Sequence, residues 1–103
     1  MALPARNHRI SLDAGAAITR RYREGAGPNP MKAGAFHATQ VRELLDQPGC
    51  VALRIYYGRQ DNGDPAFVLV GIDANDKELT GGIMLEVCFL CPPFCGDGSA
   101  LNG

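Results

Sequence analysis

The fold is decided by residues 50–72, which read CVALRIYYGRQDNGDPAFVLVGI. Residues alternate with a period of two along Cys50–Tyr57, which predicts a strand with one buried face. The Asn62–Gly63 dipeptide predicts a turn, and the continuous apolar run Ala66–Ile72 predicts a central strand covered on both faces. The short connections favour an antiparallel arrangement. The side chains expected on the buried face of the first strand are Val51, Leu53, Ile55 and Tyr57.

Two helices are predicted before this hairpin, and a third strand after it. Ser11 is a good N-cap for a helix over Leu12–Glu24. A second helix is expected to begin with His37 at its N-cap and to bury Val41, Leu44 and Leu45. The third strand is predicted through Ile83–Leu90. The sequence therefore predicts an α+β fold in which two helices pack on a three-stranded, mainly antiparallel sheet, in two layers.

The length of 103 residues and the hydrophobic content of 46% predict a single domain over residues 1–103. Residues 1–10 are expected to form an irregular arm, and residues 91–103 form a tail rich in Cys, Pro and Gly. No apolar run approaches the roughly 18 residues that span a membrane. The first residues lack the apolar segment of a secretory signal. We therefore expect a cytoplasmic protein with no membrane partner.

Charge is distributed unevenly along the chain, although the formal net charge is only −1. Residues 1–59 contain nine Lys or Arg and four Asp or Glu, whereas residues 60–103 contain one Lys and seven acids. The densest basic cluster consists of Arg20, Arg21 and Arg23, with Tyr22 between them. The opposing acidic surface is expected to include Asp61, Asp64, Asp73 and Asp76.

The basic cluster has three interpretations. It is a solvated helix face whose charges pair within the monomer, a surface that binds another copy or another protein, or a contact for nucleic-acid phosphates. In the second interpretation, the basic helix of one copy meets the acidic turns of another. Such a heterologous contact generates rings or filaments. Both binding interpretations predict sensitivity to salt.

The cysteines are the only group of chemically reactive side chains that the sequence suggests. Cys88, Cys91 and Cys95 follow a C-x2-C-x3-C spacing, and Cys50 is remote. Four thiolates suit zinc or an iron–sulfur cluster, but Cys88 and Cys91 point to opposite faces if the third strand reaches Leu90. Cys91 and Cys95 avoid that objection, because the intervening prolines stiffen the loop. A metal site, a disulfide between Cys91 and Cys95, and reduced thiols all stay open.

Four stretches of the chain resemble small uncharacterised bacterial single-domain proteins that have a PGCV-type strand start and a CPPxC tail. These stretches are ISLDAGAAITRRYR (residues 10–23), PGCVALRIYYG (residues 48–58), FVLVGIDAN (residues 67–75) and CPPFC (residues 91–95). The resemblance implies a bacterial origin and a linked Cys91–Cys95 pair. It implies no activity.

The expected function is that of a non-catalytic interaction or self-assembly module. Its basic and acidic surfaces would join copies into a homo-oligomer, or bind another protein, without a cofactor. The alternative is an accessory protein that binds zinc or an iron–sulfur cluster through its cysteines. A thiol-redox enzyme is a further alternative. Redox pairs, however, usually have two residues between the cysteines, and Cys91 and Cys95 have three.

Overall fold

The computed structural model describes residues 2–103 and has two helices and two sheets. The helices are α1 (Leu12–Gly25) and α2 (Ala38–Leu45), and the strands are β1 (Ala33–Ala35), β2 (Ala52–Arg59), β3 (Pro65–Ile72), β4 (Met84–Leu85) and β5 (Phe89–Cys91). One sheet has the order β2-β3-β4 and is antiparallel, and the other pairs β1 with β5. The predicted α+β class is confirmed. The two-stranded sheet was not predicted.

The described residues group into two compact units. The first contains Phe36–Phe89 together with residues 2–5, and the second contains Arg6–Ala35 and Leu90–Gly103. Among the described residues, no helix combines the length and the hydropathy needed to cross a membrane.

The first unit is built on the β2–β3 hairpin. Its register runs from Ala52 opposite Ile72 to Arg59 opposite Pro65, and the turn is closed by a 2.8 Å hydrogen bond from the Gln60 amide to the Asp64 carbonyl. Because β4 pairs with the other side of β3, β3 is the central strand, as predicted. Its buried residues include Ala66, Leu69, Val70 and Ile72.

Helix α2 packs mainly against β3 and β4. Leu44 on this helix is 0% exposed, but Leu45 is 40% exposed, so the prediction that Leu45 is buried is wrong. Gln47 ties the helix end to the sheet. Its Nε2 donates to the Leu44 carbonyl at 2.8 Å, and its Oε1 accepts from the Ile83 amide at 2.7 Å.

The buried face predicted for Cys50–Tyr57 is wrong at Val51, which lies just before β2 and is 63% exposed, and along the outer half of β2. Ile55 is 55% exposed and Tyr57 is 91% exposed. A period of two places these side chains on one face, but the helix of this unit packs mainly on β3 and β4. The outer half of β2 therefore presents apolar side chains to solvent.

The third predicted strand, Ile83–Leu90, is interrupted. β4 and β5 are separated by Glu86–Cys88, and Val87 has a φ of 61°. A left-handed residue cannot continue an extended strand. The prediction of one continuous strand is therefore wrong, because β4 pairs with β3 whereas β5 pairs with β1.

The second unit contains α1, whose predicted start is confirmed. The Ser11 hydroxyl accepts from the Ala14 amide at 3.1 Å, and Asp13 lies in the first turn, where the helix dipole favours a negative charge. The buried positions of this helix are Gly15 and Ala16. A Cβ added to Gly15 would lie 3.3 Å from Leu101, so this glycine allows close packing of the C-terminal segment.

Candidate interaction surfaces

The predicted basic cluster separates into two parts with different roles. Arg20 and Arg21 are exposed, and neither forms an ion pair within residues 2–103, where both salt bridges involve Arg54. Arg23 is half-buried, and its Nη1 donates to the Leu101 carbonyl at 2.6 Å. Arg23 therefore holds the C-terminal segment, while Arg20 and Arg21 present their charge to solvent.

Apolar side chains lie beside Arg21 on α1. Ile18, Arg21 and Tyr22 follow the i, i+3, i+4 spacing that places residues on one side of a helix, and we call them the basic helix face. Ile18 and Tyr22 are exposed and border a cleft of about 140 Å³. The cleft is lined by Ile18, Thr19, Tyr22, Arg23, Lys32 and Leu101. The Tyr22 hydroxyl donates to the Met31 carbonyl at 3.1 Å, which fixes the ring at the mouth of the cleft.

Two of the predicted acidic residues lie in the β2–β3 turn. Asp61 is exposed, and Asp64 accepts from the Asn62 amide group at 3.1 Å. A third carboxylate, Glu86, accepts from Gln60 next to this turn. Glu86 could not be identified from the sequence, because only the pairing of β4 with β3 brings it to this turn. Tyr57 lies next to Phe67, with ring centroids 6.3 Å apart. We call Tyr57, Asp61, Asp64 and Glu86 the hairpin end.

The other two predicted acidic residues have partners within their own unit. Asp73 accepts from the backbone amides of Lys77 at 2.9 Å and Asn75 at 2.8 Å, and these bonds lower the pKa of its carboxyl group. Asp76 forms an ion pair with Arg54 at 2.6 Å. Both carboxylates therefore stabilise the turn after β3, which weakens the prediction that they face a partner.

Arg54 and Tyr56 form a polar cluster with carboxylates beyond β3, which sequence analysis did not identify. Arg54 contacts Asp76 at 2.6 Å and Glu78 at 3.1 Å, and the Tyr56 hydroxyl also donates to Glu78. Because Glu78 bridges to Ile72, the side chains of Arg54 and Tyr56 reach across β3. The bonds from Tyr56 and Arg54 lower the pKa of Glu78, and the bond to Glu78 raises the pKa of Tyr56.

Because of this cluster, we expect the protein to lose stability in acid. Since the pKa of Glu78 in the folded state lies below its ordinary value of 4.5, its stabilising contribution is present above that value. The contribution is lost as the pH falls through the folded-state pKa. We expect Glu78→Gln to weaken the dependence of the free energy of unfolding on pH in acid. Urea unfolding from pH ~2 to ~6 measures this dependence.

Glu43→Gln is the matched control, because Glu43 is exposed on α2. Its acid limb should follow that of the wild type. Equal flattening in both variants would contradict the assignment of this contribution to the Arg54 cluster.

The cysteines adopt one of the three arrangements that the sequence left open. Cys91 and Cys95 are joined by a disulfide, with Cα atoms 4.7 Å apart. Cys50 and Cys88 are half-buried thiols, and Cys50 donates to the Ala52 carbonyl at 3.3 Å. Within residues 2–103, no three His, Cys, Asp or Glu side chains are placed to hold a metal ion.

The two compact units carry opposite formal charges. The second unit contains six Lys or Arg and three Asp or Glu, which gives +3. The first contains four Lys or Arg and eight Asp or Glu, which gives −4. The basic helix face belongs to the positive unit, and the hairpin end belongs to the negative unit.

Comparison of the chain with family models, curated proteins and solved structures gave no match. The resemblance to small bacterial proteins therefore stays a prediction. The function is therefore inferred from the basic helix face and the hairpin end.

Proposed function

We propose that this protein is a non-catalytic interaction module that associates with other copies of itself, head to tail. The basic helix face of one copy binds the hairpin end of the next. The observation that carries this proposal is that Arg21 of the basic helix face, like its neighbour Arg20, is exposed and forms no ion pair within residues 2–103. Because every copy also contains an acidic unit, each copy supplies the complementary surface for the next one.

Each surface combines apolar side chains with charge, which is the usual anatomy of a protein interface. Ile18 and Tyr22 on one side would meet Tyr57 on the other, and burial of these side chains would supply most of the affinity. Arg21 would face Asp61 at the edge of the contact. Charge pairs of this kind mainly increase the association rate and exclude wrong partners.

A protein partner suits α1 better than nucleic acid does. Affinity for nucleic acid depends on the number of phosphates that Lys and Arg neutralise. One of the clustered arginines, Arg23, is already bound to the Leu101 carbonyl. Asp13 and Glu24 add negative charge to the same helix. The mixed charges of α1 therefore favour an acidic protein surface over nucleic acid as its partner.

Light scattering of the full chain tests this function. After nuclease treatment, we expect the average mass to exceed that of a monomer at about 20 mM salt and to fall as the salt rises to about 1 M, because salt screens exposed charges. An assembly that disappears on nuclease treatment would point to nucleic acid. A monomer at about 1 mM protein in low salt would overturn self-association.

A further inference from the structure

We infer that the Cys91–Cys95 disulfide is a redox switch that controls the C-terminal segment, residues 96–103. The segment stays on α1 while the disulfide is intact, and it is released when a dithiol reduces the disulfide. The contacts that support this inference lie within the second unit of one chain. The switch can therefore hold or fail independently of the contact between copies.

The C-terminal segment is held on α1 by exposed hydrogen bonds and one apolar contact. It contains turns and a bend, and residues 96–103 include no helix or strand. The Leu101 carbonyl accepts from Arg23 at 2.6 Å, and Leu101 packs over Gly15. The Asn102 carbonyl accepts from Nζ of Lys32 at 2.9 Å. Segments held by exposed bonds and little buried apolar surface open at a low free energy.

Asn102 closes the C-terminal segment back on the disulfide. Its Nδ2 donates to the Cys95 carbonyl at 3.3 Å, and its Oδ1 accepts from the Ser99 amide at 3.0 Å. The Leu101 amide donates to the Ser99 hydroxyl at 3.1 Å. These bonds fold the segment into a small loop that begins and ends at Cys95. The position of the segment therefore depends on where Cys95 is held.

The disulfide joins Cys95 to a buried point of the second unit. Cys91 is 4% exposed, and its carbonyl accepts from the Lys32 amide at 2.7 Å. Lys32 thus binds Cys91 through its backbone and Asn102 through its side chain. While the disulfide is intact, both anchors of the segment, Cys95 and Lys32, are fixed to β5. Reduction removes the covalent anchor and leaves the exposed hydrogen bonds.

The effect of reduction is local. The disulfide joins residues only four positions apart, and a cross-link that closes a short loop restricts the unfolded chain least. The largest fully buried side chains, Leu44, Val70 and Ile72, belong to the first unit. We therefore expect reduction to release the C-terminal segment while the hairpin core is retained.

The two sulfur atoms differ in accessibility, because Cys95 is half-buried whereas Cys91 is buried. A thiolate of the reductant therefore attacks Sγ of Cys95, and Sγ of Cys91 leaves with the electron pair and takes up a proton. The second thiol of the reductant loses its proton and displaces Cys95, whose thiolate takes up that proton. The reductant is oxidised to a disulfide, and the two cysteines are reduced to thiols.

Release of the segment opens the cleft beside the basic helix face. Leu101 forms part of the wall of that cleft. Gly15 and Ala16 are the buried positions of α1, and Gly15 lies against Leu101. This side of α1 is therefore covered in the oxidised protein and accessible in the reduced one.

NMR spectroscopy of the full chain, oxidised and then treated with dithiothreitol, tests the switch. In a Cys50→Ser, Cys88→Ser background, only the disulfide responds to the reductant. We expect the nuclear Overhauser contact between Leu101 and Gly15 to be lost on reduction. Order parameters of the amides in residues 96–103 should fall below about 0.6, the range of flexible backbone, while those of β3 stay near about 0.85.

Two variants separate the switch from side effects of the reductant. Cys95→Ser should lose the contact between Leu101 and Gly15 without dithiothreitol. Asn102→Ala should lose it with the disulfide intact, because the bond to the Cys95 carbonyl is removed. Asn75→Ala is the matched control, because Asn75 is exposed in the turn after β3. It should keep the contact until the reductant is added.

A contact between Leu101 and Gly15 that survives reduction, or that survives in Cys95→Ser, would overturn the switch. Order parameters that fall equally in β3 would also overturn it, because the disulfide would then stabilise the whole fold. An Asn102→Ala variant that behaves like Asn75→Ala would overturn the closure of the segment on Cys95.

Discussion

Replacing Leu44 with alanine is expected to lower the free energy of unfolding by about 2–5 kcal/mol, the range typical of large-to-small core substitutions. Leu44 is 0% exposed on the helix that packs against β3 and β4. Removing its side chain takes apolar atoms out of the core and leaves a cavity that the surrounding structure fills only in part. Urea unfolding followed by circular dichroism measures the change.

Leu45→Ala is the matched control, because it is the same substitution at the next position of the same helix. Both variants remove the same side-chain atoms, but Leu45 is the last residue of α2 and is 40% exposed. We expect the control to cost less than about 1 kcal/mol, as is usual for surface positions. Comparable losses in the two variants would contradict the packing of α2 through Leu44.

The parts of the fold that depend on local sequence could be predicted. Ser11 identified the start of α1, and the Asn62–Gly63 turn between two strand patterns identified the hairpin. These features need only short-range chemistry, namely a capping hydroxyl and a turn dipeptide. The α+β class follows from them once the second helix is added.

The exposure of β2 could not be predicted, because it depends on which element covers the sheet. The alternation in Cys50–Tyr57 indicates a strand with two distinct faces. It does not reveal that α2 packs mainly on β3 and β4. The break at Val87 could not be predicted either, because a β-branched residue gives no local signal for a left-handed conformation.

The candidate surfaces were predicted in part. The sequence located the exposed arginines and the acidic turn after β2. It did not show that Arg23 is used to bind the Leu101 carbonyl or that Asp76 pairs with Arg54, because both contacts join residues far apart in the chain. Arg54 and Glu78 become neighbours only through the register of β3.

Reversing the charge of Arg21 is expected to disrupt the head-to-tail assembly. Arg21→Glu would place a carboxylate opposite Asp61 of the next copy, and we expect the association to weaken by about tenfold or more. Arg21 has no ion pair within residues 2–103, so the fold should be unaffected. Arg42→Glu is the matched control, because Arg42 is an exposed arginine on α2 and belongs to neither surface.

Asp61→Lys should weaken the assembly to a similar extent, because it would place two cations opposite each other. Asp61 is exposed in the hairpin turn. Combining the two reversals recreates an opposite-charge pair with its polarity exchanged. The double variant should therefore regain association that each single variant has lost, which a merely structural effect of either substitution would not produce.

Sedimentation velocity at low salt, comparing the wild type with Arg21→Glu, Asp61→Lys and the double variant, tests the proposed contact most directly. We expect association in the wild type, loss in each single variant and recovery in the double variant. Single variants that associate like the wild type, or a double variant as dissociated as either single one, would contradict it.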